Sequence, residues 1–315
     1  MGDTKFERHL RRQTWFLRLI GVVLLGIGMF AAFLGPLEMF CFYLFSEGGV
    51  FHYEGFGFGS FMFGNISAQI FGYYFIAAST LPIGYGNLKQ KRWARHLTLG
   101  LLQSWHIVGL PLMIAFFAVL VSSKDVSWVF AGLTGLLALA CYLFLPGLVK
   151  RFYNNTNTKR LFAKDVSDQA WIEGIPIPVI ALGYVFVFVI LILHTQIFFN
   201  GIFPFFGFWM NGFGGIVLID LAIVSLVVLL WGVLRVQPWA WWGGLIFFSS
   251  MFISYTLTLV LSSWDEMLAV FDFPAFELQF LGQIPLHGTF FAVLAGFPFL
   301  LTIISILRTR SFFHR

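Results

Sequence analysis

Charged side chains are scarce in this sequence, and their scarcity decides the class of protein. Only 10% of its 315 residues are Asp, Glu, Lys or Arg, whereas 59% are apolar. A soluble globular domain carries roughly 25% charged residues. Because a charge inside hydrocarbon is costly, a chain that crosses a bilayer repeatedly confines charge to its loops and ends. The composition therefore excludes an ordinary soluble domain and predicts an integral membrane protein.

Motifs of the common enzyme classes are also missing. The sequence has no Walker motif, no Gly-x-Ser-x-Gly elbow, no His-Glu-x-x-His helix, no Cys-x-x-Cys pair and no Ser-x-x-Lys. Its two cysteines, Cys41 and Cys141, are expected in different leaflets, so a disulfide between them is not predicted. These absences favour a protein that is not an enzyme, although they do not name its activity.

Apolar runs long enough to cross a hydrocarbon core of about 30 Å recur along the whole chain. We predict an all-α polytopic membrane protein in which the first span continues past Pro36 to 45 if the helix tolerates that proline. The eight predicted spans are 15–35, 62–85, 97–122, 126–149, 175–199, 211–234, 239–262 and 286–308.

Basic residues segregate to one side of these eight spans. Eighteen of the nineteen Lys and Arg residues fall on the side of both termini, and Lys124 is the exception. Because loops rich in Lys and Arg stay in the cytoplasm, both termini are predicted to be cytoplasmic, in a membrane of the bacterial cytoplasmic type. Anionic lipid headgroups account for the net charge of +5, so no nucleic-acid partner is expected.

One short stretch occurs twice. GNLKQKRWAR at 86–95 and GVLRVQPWAW at 232–241 align at an offset of 146, and around them 65–109 matches 211–255 at ten positions. In each copy a span is followed by a short turn, the dipeptide Trp-Ala and another span. The pattern predicts two tandem four-helix repeats.

The predicted repeats give the chain its domain boundaries. The first four-helix repeat covers 1–150, a polar cytoplasmic linker covers 151–174, and the second repeat covers 175–315. Four spans per repeat place both copies in the same orientation, as in transporters with parallel repeats.

Polar side chains inside the spans are the candidate functional residues, because each must be stabilised against the loss of water. Glu38, His194 and Asp220 all fall in the outer half of predicted spans. We predict that they line a polar pocket that binds a proton, a cation or a small ligand. The alternative is that each is hydrogen-bonded singly across a helix interface, or lies near enough to the lipid headgroups to stay hydrated. His106 and Gln103, on one face near mid-membrane, form a second candidate pair.

Five further polar residues are predicted around the outer mouth of this pocket. They are His52, Glu54, Asp265, Glu266 and His287. Such groups suit a polar headgroup or a metal ion, but no metal-ligand spacing is present. A single histidine is not a signature of haem ligation either, so the sequence does not identify a cofactor.

Three functional classes fit these observations. The leading hypothesis is a transporter-like or small-ligand-binding bundle with its polar site in the outer half of the membrane. The second is an accessory subunit of a respiratory, photosynthetic or transport complex, whose Phe-rich loops contact other subunits. The third is an enzyme that acts on lipid or polyprenyl substrates at the outer surface. The lipid bilayer is the expected partner in all three, with membrane subunits or a hydrophobic small molecule beside it.

Overall fold

The computed structural model describes residues 3–122, 127–163, 170–271, 273–282 and 288–314, and most of them are helical. In chain order the helices are α1 (Asp3–Phe45), α2 (Phe61–Leu88), α3 (Arg92–Ser122), α4 (Trp128–Leu139), α5 (Leu145–Asn154), α6 (Thr156–Ala163), α7 (Ile177–Phe198), α8 (Gly212–Leu234), α9 (Pro238–Leu261), α10 (Trp264–Phe271), α11 (Ala275–Leu281), α12 (Gly288–Arg308) and α13 (Arg310–Phe313).

Three kinds of shorter element complete the described chain. A π-helical turn, Ala140–Phe144, joins α4 to α5 without a break, and a 3-10 turn, Trp171–Gly174, precedes α7. Between α7 and α8 lies an antiparallel hairpin of β1 (Phe203–Phe205) and β2 (Phe208–Met210), in which Phe203 pairs with Met210.

Within the described residues, eight helical segments are long and apolar enough to cross a membrane, which agrees with the predicted number of spans and with the all-α polytopic class. The first span does continue through Pro36, since α1 is unbroken to Phe45. The fourth is built from α4, the π turn and α5 together, over Trp128–Asn154. Contact with the lipid bilayer follows from these spans.

The chain divides into two compact units, each described here by itself. Unit 1 comprises Met1–Phe30 and Ile76–Val185, and unit 2 comprises Ala31–Phe75 and Phe186–Arg315. Helices α1, α2 and α7 contribute residues to both units. The predicted repeat boundaries do not coincide with these units and stay predictions.

Unit 1 has an apolar core around two aromatic side chains of the predicted linker 151–174. Tyr153 and Phe162 are 0% and 2% exposed and pack with Leu17 and Leu99. The described part of this segment is therefore packed into unit 1, although its composition is that of a polar connection. Burying two large aromatic rings accounts for this, because each removes a large apolar area from water.

Two arginines of α3 hold the ends of the short helices in this segment. Arg92 donates a hydrogen bond to the carbonyl of Ala163 at 3.3 Å, and Arg95 donates one to the carbonyl of Tyr153 at 3.2 Å. The last carbonyls of a helix have no partner within the helix and carry partial negative charge. Cations at these positions therefore stabilise the ends of α5 and α6.

The repeated sequence stretch folds into the same turn both times. Three residues join α2 to α3 and three join α8 to α9. In each turn the middle residue has a positive φ, 54° at Gln90 and 55° at Val236. A backbone hydrogen bond closes each turn, from Lys91 to Gly86 at 2.8 Å and at the equivalent place in the second turn at 2.9 Å. The two turns thus share their backbone conformation, whereas the tandem repeat of four helices stays a prediction.

Glycine is required at the start of each turn because the following Trp-Ala pair packs on it. A β-carbon at Gly86 would collide with the methyl group of Ala94, and one at Gly232 would collide with that of Ala240. The alanine methyl group cannot rotate away, so the close approach of the two helices depends on the missing side chain.

We expect Gly86→Ala to lower the free energy of unfolding by about 1–3 kcal/mol, the usual cost of overpacking a tight contact. Thermal melting of the purified protein in detergent measures this. The control is Gly72→Ala in the same helix, where an added β-carbon meets nothing within 4 Å. Equal melting temperatures for the two variants would contradict the packing argument.

Candidate functional site

A cavity of unit 2 lies among α7, the hairpin, α9, α10 and α12. Its volume is about 460 Å³, within the range of small-molecule sites. Aliphatic and aromatic side chains line nearly all of it, among them Phe199, Leu259, Met267, Phe271, Phe291 and Leu294. The sequence analysis did not identify this cavity, because its lining is dispersed over residues 61–295 and each part is an ordinary apolar segment.

Aromatic rings form the wall of the cavity on the side of α10 and α12. Trp264 stacks on Phe291 with ring centroids 5.1 Å apart and planes 9° from parallel. Phe271 and Phe273 stack at 4.9 Å. Flat rings held in this way give the cavity a fixed apolar surface, because each ring restrains its neighbour.

A small polar group lies in the otherwise apolar lining. The hydroxyl of Tyr255 donates a hydrogen bond to Oε1 of Gln196 at 2.8 Å. No residue that the structure describes accepts a hydrogen bond from the side-chain nitrogen of Gln196. That amide can therefore donate to an oxygen atom of a bound molecule.

The hairpin that borders the cavity is fastened to α9 by a ladder of hydroxyl groups. Ser254, Thr258 and Ser262 follow each other at intervals of four residues, and so share one face of the helix. Ser254 Oγ accepts from the Phe206 amide at 2.9 Å, and Thr258 Oγ1 accepts from the Gly207 amide at 2.9 Å.

The third hydroxyl of the ladder, that of Ser262, binds the side chain of Trp209 in β2. Ser262 Oγ accepts a hydrogen bond from the indole nitrogen of Trp209 at 2.7 Å. Ser254 also donates to the carbonyl of Pro204 at 2.6 Å. Since Ser254 and Thr258 are 0% exposed, these bonds satisfy backbone groups that water does not reach. The ladder therefore fixes the wall of the cavity formed by Pro204 and Trp209.

We expect Thr258→Val to destabilise the protein by about 1–3 kcal/mol, because the Gly207 amide loses its acceptor in a buried place. Thermal unfolding in detergent is the measurement. Thr256→Val is the matched control in the same helix, since the hydroxyl of Thr256 is buried without a partner among the described residues. A loss of stability in the control as large as in the variant would contradict the role of the ladder.

Next to the cavity lie the connecting segments 46–60, 199–211, 262–271 and 273–282, which we call the loop layer. A buried carboxylate organises this layer. Glu277 of α11 is 4% exposed. Its Oε1 accepts hydrogen bonds from the hydroxyl of Tyr53 at 2.7 Å and the amide of Met62 at 3.1 Å, while Oε2 accepts from the amide of Phe61 at 2.7 Å.

Glu277 thereby caps the start of α2 with a negative charge, where free amides and the helix dipole favour an anion. Burial, and then the neighbouring Glu277 carboxylate, raise the pKa of Tyr53 above its ordinary value, so the hydroxyl stays protonated and donates. Sequence analysis assigned Glu277 no role. Its partners lie 215 to 224 positions away, beyond the reach of any local pattern.

We expect Glu277→Ala to expose the first amides of α2, because two backbone donors lose an acceptor that carries charge. Hydrogen exchange at Phe61 and Met62 should accelerate about a hundredfold, corresponding to the roughly 3 kcal/mol of a hydrogen-bonded charge. The control is Glu266→Ala, which removes an exposed carboxylate that caps α10 through the amide of Ser263. Unchanged exchange at the start of α2 would show that Glu277 does not hold it.

The predicted pocket residues Glu38 and His194 each have a partner on their own helix. Glu38 is half-buried and accepts a weak hydrogen bond from the thiol of Cys41 at 3.9 Å. Nδ1 of His194 lies 2.8 Å from the carbonyl of Ile190, and its ring lies against Phe71 with centroids 6.0 Å apart. No hydrogen bond or ion pair joins Glu38 to His194.

The third predicted pocket residue, Asp220, is exposed on the surface of α8. No described residue donates a hydrogen bond to its carboxylate. An aspartate at the centre of an inserted helix costs about 2.5–3.5 kcal/mol. The structure does not join Asp220 to Glu38 or His194 by any contact, and the polar pocket stays a prediction.

The mid-membrane pair His106 and Gln103 lies in unit 1, and both side chains are half-buried. Nδ1 of His106 bonds to the carbonyl of Leu102, one turn earlier in α3. Trp105, the residue directly before His106, donates a hydrogen bond to the carbonyl of Tyr142 in the π turn at 3.0 Å. A role for the pair in ligand binding stays a prediction.

The predicted mouth residues are spread over exposed parts of the loop layer. His52, Glu54, Asp265 and Glu266 are exposed, and Nδ1 of His52 lies 3.2 Å from the carbonyl of Glu47. His287 lies outside the described residues. Within the described ranges, no group of three or more His, Cys, Asp or Glu side chains is placed to hold a metal ion.

Comparison with protein-family models, with curated proteins and with solved structures gives no match. The site is therefore interpreted from its own geometry, in which an apolar cavity with one amide donor is the most developed feature of unit 2.

Proposed function

We propose that this multi-pass membrane protein binds a lipid-like small molecule, with a long hydrocarbon chain and a polar oxygen, in the cavity of unit 2. The observation that carries the proposal is the composition of the lining. Apart from Gln196, Thr195, Tyr255, two indoles and the thioether of Met267, side chains at the cavity are aliphatic or phenyl groups. Such a surface favours hydrocarbon over water by about 25 cal/mol for each Å² buried.

The polar group of the cavity supports a specific orientation of this ligand. Tyr255 fixes the amide of Gln196 through its hydrogen bond at 2.8 Å, which leaves the amide nitrogen to donate. An ester, carbonyl or hydroxyl oxygen of the ligand accepts that bond, and the hydrocarbon chain extends along Leu294 and Phe291. A few placed polar groups in an apolar cleft are typical of small-molecule sites.

The place of the cavity along the spans supports a ligand site in the outer half of the membrane. Its lining comes from the last turns of α7 and α9 and the first turns of α12, next to the loop layer. With both termini cytoplasmic, as the distribution of Lys and Arg favours, the cavity belongs to the outer half of the membrane. This agrees with the predicted ligand-binding bundle in location, although the lining does not include Glu38, His194 or Asp220.

Filling the cavity tests the proposal. We expect Ala295→Phe, which projects a ring into the lining, to reduce ligand occupancy about tenfold, because a displaced chain loses its apolar contacts. The probe is a phospholipid with a photoactivatable diazirine in its acyl chain, reconstituted with the full chain. Mass spectrometry locates the cross-linked residues on α9, α10 and α12.

The matched control is Val293→Phe, two residues earlier in the same helix and 65% exposed. It adds the same ring outside the cavity and should leave cross-linking unchanged. Equal labelling of both variants, or labelling spread evenly over all exposed spans, would overturn the proposal.

A further inference from the structure

One face of α8 carries an exposed seam with the spacing of a helix-pairing surface. Its members follow each other in alternating steps of four and three residues, and every one of them is exposed: Phe213, Val217, Asp220, Val224, Val227 and Trp231. Steps of four and three repeat every seven residues, which is the spacing at which one helix packs along another. Helices in membranes mostly cross in this same left-handed way.

Asp220 lies inside this seam, away from either end of the span. It is eight residues after Gly212 and fourteen before Leu234, or roughly 12 Å and 21 Å along the helix. The side chain of an aspartate is too short to reach the membrane–water interface at either end of the span. No residue that the structure describes pairs with it.

We propose that the seam of α8 is the docking surface for a membrane-spanning helix of another protein, which carries a Lys or Arg side chain near its middle. The seam supplies apolar contacts over its whole length, and Asp220 supplies the ion pair that sets the register. A single polar residue within an apolar seam has this effect in coiled coils, since any other register leaves it unpaired.

Charge complementarity selects this partner over lipid and over a second copy. Lipid tails offer no donor to a carboxylate at this depth. In a second copy, the described Lys and Arg residues of the spans lie toward the ends on one side of the membrane, and Arg18, eight residues after Leu10, lies farthest in. Because successive spans alternate in direction, these ends share the side of Leu234, about 21 Å along α8 from Asp220.

The test uses synthetic membrane-spanning helices as probes. Three Leu-rich peptides of equal length differ at one central position, which is Arg, Leu or Glu. Energy transfer from labelled full-length protein to labelled peptide in vesicles measures association. We expect the central-Arg peptide to bind about tenfold more tightly than the central-Leu peptide. Asp220→Leu should abolish this preference, and Asp220→Lys should transfer it to the central-Glu peptide.

Asp265→Leu is the control, because it removes an exposed carboxylate outside the spans and should leave the preference intact. The Asp220 variants should fold, since no described side chain bonds to this residue. Equal binding of the three peptides to the unmodified chain would overturn the proposal. The protein could instead self-associate in a way that Asp220→Leu abolishes and that the central-Arg peptide does not inhibit. That result would overturn the proposal and identify a second copy of this chain as the occupant of the seam.

Discussion

The carboxylate of Glu277, with its three donors, is the interaction on which the architecture of unit 2 depends. It joins α11 to the first turn of α2 and to Tyr53, and thus connects segments more than 200 positions apart. A buried carboxylate without such donors would be strongly unfavourable. The loops therefore have few alternative arrangements in which this charge stays paired. The cavity beneath them takes its shape from that constraint.

The polar groups of unit 2 are mostly used within the protein, and this explains why its cavity is apolar. Ser254, Thr258 and Ser262 bond the hairpin, and Trp209 and Trp264 direct their indole nitrogens to protein oxygens. What faces the cavity is the remaining carbon surface. Gln196 is the exception, since its amide nitrogen has no acceptor among the described residues. One free donor in a large apolar space suits a ligand with one polar end.

The sequence predicts the spans well because hydrocarbon excludes charge, a constraint that each segment obeys separately. It also predicts the turn at Gly86, where glycine, tryptophan and alanine are close in sequence. Glu277 and the cavity escape prediction, because their contacts join distant segments through tertiary packing. The hydroxyl ladder of α9 did have a local signal, in three Ser or Thr residues at intervals of four. That signal is ambiguous, since such hydroxyls also bond to the carbonyl one turn earlier, as Thr258 does.

The short turn between α8 and α9 has a consequence for biogenesis. Three residues leave the two helices little freedom to separate, and α9 approaches Gly232 so closely that a β-carbon there would collide with it. We therefore expect the pair to enter the bilayer as one helical hairpin instead of as two independent spans. The apolar side chains of α8 itself, which has the highest mean hydropathy among the candidate spans of the described residues, offset the penalty for Asp220. That apolar length lets the membrane accept a helix with a carboxylate on its exposed surface.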